Sequence, residues 1–135
     1  MREFKFRFWV DYKVEGMEPR MILPVEYADI LIKGDGRIFC WIDIQENAGL
    51  AEFDKGNVIP MQYTGILDKN GKEIYEGDLL EVDHKISTVK FKETKARFYL
   101  YRKFTGGDEI AQGLHETRQS RYRVVGNIYE NPELS

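Results

Sequence analysis

The chain reads as mainly β, a β-rich α+β protein whose C-terminal portion forms a small barrel or strongly bent sheet. Three observations predict this. Short segments alternate apolar and polar residues at period two, the signature of a half-buried strand. Phe, Tyr and Trp make up 13% of the 135 residues, and such side chains suit a pleated surface. Turn residues recur at close spacing in the second half, as in small barrels.

The first strand comes from Phe4, Phe6, Phe8 and Val10, which alternate with Lys5, Arg7 and Trp9. That pattern predicts one buried and one solvated face, with Trp9 on the charged side. Gly16 and Pro19 break it, and Met21–Leu23 is a short apolar run stopped by Pro24. Ala28–Ile32 and Arg37–Ile42 flank Gly34-Asp35-Gly36, which suits a hairpin turn. A helix over Val25–Ile32 is the rival assignment for so short a run. Residues 43–58 are acidic and contain Gly49 and Gly56, so they read as a loop or edge excursion.

Met61–Leu67 and Lys72–Tyr75 then flank Asp68-Lys69-Asn70-Gly71, where Asn-Gly is a strong hairpin signal. Glu76-Gly77-Asp78 makes a second tight turn into a strand at Leu79–Val82. Ile86–Lys92 and Arg97–Phe104 alternate as two further strands, the second ended by Thr105-Gly106-Gly107. Asp108–Gln119 is assigned to a short helix capped by Asp108, which Gly113 weakens by about 1 kcal/mol. Arg121–Ile128 is the last strand, terminated at Asn131-Pro132. The expected organisation is a β-rich part over 1–60 and the barrel portion over 61–135, forming one compact unit.

Composition bounds the function. No apolar run approaches the ~20 residues that span a bilayer, and the alternately charged N-terminus is not a signal-peptide core. A single cysteine, Cys40, excludes an internal disulfide and points to a reducing cytoplasm. Structural zinc needs about four Cys or His ligands, whereas Cys40, His84 and His115 are three and far apart. Asp83 and His84, as strand neighbours, would face opposite ways. Cys40 lies within Ile38-Phe39-Cys40-Trp41-Ile42, an apolar setting that leaves a thiol inert. No nucleophile elbow or phosphate-cradling loop is present. Glu73, Glu76, Asp78, Glu81 and Asp83 crowd one region, as a solvated acidic face does. The expectation is therefore no catalytic residues, no cofactor and no metal.

Net charge is −3 but uneven. Residues 41–84 set three lysines against ten acids, −7, whereas residues 85–123 set ten Lys and Arg against four acids, +6. The simplest arrangement lays the two segments side by side, each neutralising the other. The alternative makes the basic segment a contact surface. Lys85, Lys90, Lys92, Lys95, Arg97, Arg102 and Lys103 accompany Phe91, Phe98, Tyr99, Tyr101 and Phe104, while Arg118, Arg121 and Arg123 surround Tyr122. Cations beside ring faces are what a single-stranded nucleic acid requires. Against this, aromatics in strands are usually core, and a pI of 5.5 is far from a basic footprint.

The opening Met1–Trp9, the central Met61–Val82 and the ending Val124–Leu134 together resemble the YopX family of small phage and prophage proteins of bacteria. The resemblance spans the chain in outline and implies an SH3-like barrel in the C-terminal portion. It carries no catalytic residues. The leading expectation is thus a non-enzymatic protein-interaction module, cytoplasmic in a bacterium carrying phage or prophage. It would bind a host or phage protein or a second copy of itself, with Trp9 as a candidate interface residue and no membrane contact. The alternative is nucleic-acid binding over residues 85–104, with Lys85, Lys90, Lys92, Arg97, Tyr99, Tyr101 and Lys103 as candidate contacts.

Overall fold

A computed structural model describes residues 3–24, 30–44, 47–54, 56–103, 106–107 and 109–135. The chain divides into two units, one of residues 6–60 and one of residues 1–5 with 61–135. Both are built from antiparallel strands, so the mainly β class holds.

In the unit of residues 6–60, β1 (Phe6–Val10) pairs with β2 (Arg20–Ile22), Trp9 facing Met21 across the ladder. Phe8, Val10, Ile22 and Val58 form its small core, joined by Phe6, Ile30, Ile38 and Phe53. The alternation around β1 differs from the expected pattern at two positions. Phe4 precedes the strand and is 71% exposed, and Arg7 is buried rather than solvated. Period two sorts side chains into two faces, but it does not say that only one of them is covered.

β3 (Ile30–Ile32) and β4 (Ile38–Ile44) form the hairpin expected around Gly34-Asp35-Gly36. Lys33 N donates to Arg37 O at 2.9 Å, and Gly36 takes a φ of 86°. Residues 30–32 are strand, not helix; residues 25–29 lie outside the described residues. Of the two readings of 43–58, loop or edge excursion, the structure takes the edge: β5 (Asn47–Glu52) is the outer strand of the sheet β3-β4-β5. It pairs with β4 from Phe39↔Glu52 to Ile44↔Asn47, so ladder pairing overrides a weak local preference.

β6 (Val58–Leu67), whose residues 61–67 belong to the other unit, meets β7 (Glu73–Tyr75) through the expected Asp68–Gly71 turn. Only Gly71 of the Asn-Gly pair takes positive φ. The organiser is Asp68, 1% exposed, whose Oδ1 accepts from Asn70 N and Lys72 N at 2.8 and 2.9 Å. Its Oδ2 accepts from Val124 N at 3.0 Å, across 56 positions of sequence. At the second turn Gly77 has φ 85°, and Tyr75 N donates to buried Asp78 Oδ2 at 2.8 Å.

A five-stranded sheet follows. β8 (Asp78–Val82) lies between β9 (Lys85–Lys92) and β12 (Arg123–Asn127). β9 pairs with β10 (Arg97–Lys103), and β10 with β11 (Glu109–Gly113) at the edge. Asp83 and His84 are not strand residues. They form the two-residue turn joining β8 to β9, with φ of 51° and 65°. The helix expected over Asp108–Gln119 is replaced by β11 and a 3-10 turn, Glu116–Arg121; Asp108 lies outside the described residues. The buried cluster of this unit is Ile74, Leu80, Val82, Val89, Phe98, Leu100, Leu114 and Tyr122.

β12 carries a bulge between Val124 and Gly126 where it faces β8. A Cβ at Gly126 would sit 2.7 Å from Asn131 Cγ and overlap its Oδ1. Gly126→Ala is therefore expected to lower the thermal midpoint by about 5 °C, as read by circular dichroism. An unchanged midpoint would mean that Asn131 moves aside freely.

Candidate nucleic-acid interface

The face of interest follows from two alternations and one register. On β9 the outward set is Ile86, Thr88, Lys90 and Lys92, and on β10 it is Arg97, Tyr99, Tyr101 and Lys103. The inward residues Val89, Phe98 and Leu100 are buried in the core. The ladder sets Thr88 opposite Tyr101, Lys90 opposite Tyr99 and Lys92 opposite Arg97. On the other flank Tyr99 faces Gly113 and Tyr101 faces Ala111. At Gly113 the space a side chain would take is filled by the Arg97 guanidinium and the His115 ring.

The cations lean diagonally across the ladder. Lys90 Nζ lies 5.0 Å from the Tyr101 ring centroid, and Lys92 Nζ lies 5.1 Å from that of Tyr99. The Arg97 guanidinium is 5.6 Å from the Tyr99 ring. Such contacts contribute about 0.5–1 kcal/mol each at an exposed site. The two tyrosine rings are neighbours, with centroids 6.4 Å apart and planes at 49°. Arg97 Nη2 also donates to Leu114 O at 3.3 Å and lies 3.3 Å from His115 Nδ1, which ties its head to the β11 end.

Six of the seven candidate contacts therefore share this face: Lys90, Lys92, Arg97, Tyr99, Tyr101 and Lys103. Lys85 does not, since it begins β9 on the opposite alternation, beside the Asp83-His84 turn. Among the other aromatics of the basic segment, Phe98 and Tyr122 are core, and Phe91 is exposed on the inward alternation of β9. Phe91 packs edge-on against Phe98 at 5.3 Å. Phe104 lies outside the described residues.

Acidic and basic segments do meet, but elsewhere. Glu81 accepts from Arg123 at 2.9 Å, and Asp83 pairs with Arg121, both along the β8–β12 side. Glu73 is taken by Lys5 at 2.7 Å and by the Tyr75 hydroxyl at 2.8 Å. Burial would push the Glu73 carboxyl up, yet the Lys5 and Tyr75 hydrogen bonds hold it below its ordinary value. The acidic crowd is thus dispersed into separate contacts. Among the described residues no three His, Cys, Asp or Glu come together as a metal site would need.

In the unit of residues 6–60, Trp9 is half-buried and Cys40 is half-buried. A large apolar exposure lies instead on β3, β4 and β5. Trp41 is 52% exposed and sits opposite Leu50, 48% exposed; Leu31 shares their face. Local sequence could not flag this patch, because Leu50 falls in the acidic segment read as a loop or edge excursion.

An antiparallel β protein with a bent five-stranded sheet is the class this geometry defines. The chain belongs to the YopX family: the family model, described as YopX protein, matches residues 5–134. The fold is similar to that of protein yopX from Bacillus subtilis, with a TM-score of 0.60, 20% identity and 97% of each chain covered. It is also similar to protein EF1440 from Enterococcus faecalis, with a TM-score of 0.51, 25% identity and 99% of each chain covered. No curated protein matches the chain. No helix among the described residues is long and apolar enough to cross a membrane.

Proposed function

We propose that this chain is a non-enzymatic binding module of phage or prophage origin, acting in the bacterial cytoplasm. Its five-stranded sheet would be an SH3-like barrel that engages single-stranded nucleic acid through the outer face of β9 and β10. The observation that carries this reading is the set of cations held about 5 Å over two adjacent tyrosine rings on one sheet face. Phosphates attract the cations, and the rings offer stacking surfaces to bases irrespective of sequence. Glu81 and Asp83 pair with Arg123 and Arg121 on the β8–β12 side of the sheet rather than on the face of β9 and β10.

The test is fluorescence anisotropy of the full chain with labelled single- and double-stranded DNA and RNA at about 50 and 200 mM salt. Single strands should bind best, and affinity should fall about 10- to 50-fold between the two salts if three or four cations meet phosphate. Lys90→Glu with Lys92→Glu should weaken low-salt binding by a further factor of about 10 or more. Absence of binding at low salt would dispose of the reading.

A second reading, a protein-interaction module, is supported by the exposed Trp41, Leu50 and Leu31 on β3–β5. Aromatic anchors dominate interfaces, and here Trp41 offers one while Trp9 is half-covered. A strictly monomeric protein that retrieves no partner from host extract would count against it.

A further inference from the structure

The ending Val124–Leu134, distinctive in the sequence, has a place beside this face. After β12 its polar side chains close on one another. Asn127 Oδ1 accepts from Tyr129 N at 3.0 Å and from Glu130 N at 2.9 Å, and Asn127 Nδ2 donates to Glu130 Oε1 at 2.7 Å. Asn131 Oδ1 accepts from Asn127 N at 3.2 Å, and Ile128 N donates to Gly77 O at 2.9 Å. Asn127 is buried, so this knot has few alternatives available from water. It reverses the chain and sets the 3-10 turn Pro132–Leu134.

The consequence is a groove of about 470 Å³ in which Ile128 and Leu134 meet Ile86, Lys90, Tyr101 and Lys103. One part of its lining is apolar and carries the Tyr101 ring, and the other includes the basic residues Lys90, Arg102 and Lys103. Lys90 Nζ is 5.0 Å from the Tyr101 centroid, so a stacking surface and a phosphate partner lie within the reach of one nucleotide. A nucleotide has this same division, with a planar base whose faces are apolar and an anion attached to it.

We propose that this groove seats one nucleotide of a bound single strand. Its base lies against Tyr101 and Leu134, and its phosphate meets Lys90 and Lys103. The proposal rests on the nucleic-acid reading and adds to it a base-contacting wall supplied by the C-terminal turn. The two parts separate experimentally, because Leu134 carries no charge and contributes nothing to phosphate attraction.

The experiment measures wild type and Leu134→Ala, as full chains at about 50 mM salt, against a labelled thymidine oligonucleotide of about ten nucleotides. The same length of backbone with abasic positions is the second probe. Leu134 is 42% exposed, so its truncation leaves the core intact; an unchanged thermal midpoint checks this. Wild type should prefer the base-bearing strand, and Leu134→Ala should weaken that strand about 5-fold while leaving the abasic strand unchanged. Equal weakening of both strands, or of neither, would overturn the nucleotide seat. If Lys90→Glu weakens binding while Leu134→Ala is silent, the seat falls and the phosphate-binding face stands. If wild type binds neither probe, both fall together.

Discussion

Asp68→Ala is expected to destabilise the protein by about 3 kcal/mol, roughly 10 °C in Tm, measured by thermal or urea unfolding. The carboxylate is 1% exposed and accepts from three backbone N–H groups, those of Asn70, Lys72 and Val124. Alanine would leave three donors without their acceptor, and a buried unsatisfied donor costs about 1–3 kcal/mol. Asp68→Asn should recover only part of the loss. One amide oxygen can serve either Val124 or the Asn70–Lys72 pair, while the amide nitrogen confronts a donor on the other side. A midpoint within about 1 °C of wild type would refute this account of the turn.

The same group sets a pH dependence. Burial would push the Asp68 carboxyl up, but the Val124, Lys72 and Asn70 N–H groups outweigh it and hold it below its ordinary value. The folded state therefore binds this proton less readily than the unfolded chain does. Its contribution is fully present above the ordinary carboxylate value of about 4 and is lost as pH falls through the lower folded value. Asp68→Asn should flatten the acid limb of the stability curve. An unchanged acid limb would assign the dependence to other carboxylates.

Asp68 also shows where local sequence stops informing. The Asn70-Gly71 signal located the turn, because glycine's freedom at positive φ is a local property. That an aspartate two residues earlier also clamps Val124 depends on a contact 56 positions away. The Asp83-His84 turn was illegible for a different reason. Two non-glycine residues in the left-handed region are uncommon, and the β8–β9 ladder is what holds them there. β5 and β11 carry glycine and small residues, so their strand state comes from pairing with β4 and β10. The Lys–Tyr face was half legible. Period two separated Tyr99 and Tyr101 from Phe98 and Leu100, but only the register set Lys90 beside Tyr99 and Tyr101.

Tyr122 tests how far that separation can be trusted. In sequence it sits among Arg118, Arg121 and Arg123, in the company of a base-stacking ring. In the structure it is 1% exposed and belongs to the core with Leu80, Val89 and Leu100. Its hydroxyl accepts from His115 N at 3.1 Å, and its backbone carbonyl accepts from Lys69 N at 2.9 Å. Tyr122 thus ties the 3-10 turn and the Asp68 turn to one core. Tyr122→Ala should cost about 4 kcal/mol, the range for emptying a buried aromatic site. Tyr122→Phe keeps the volume, removes one acceptor and should cost about 1 kcal/mol. Under the proposed function, Tyr122→Phe should bind single strands as wild type does, whereas Tyr99→Ala should lose about 5-fold or more. The reverse result, with affinity lost at Tyr122 and retained at Tyr99, would move the site off β10 and reject the Lys–Tyr face as the contact surface.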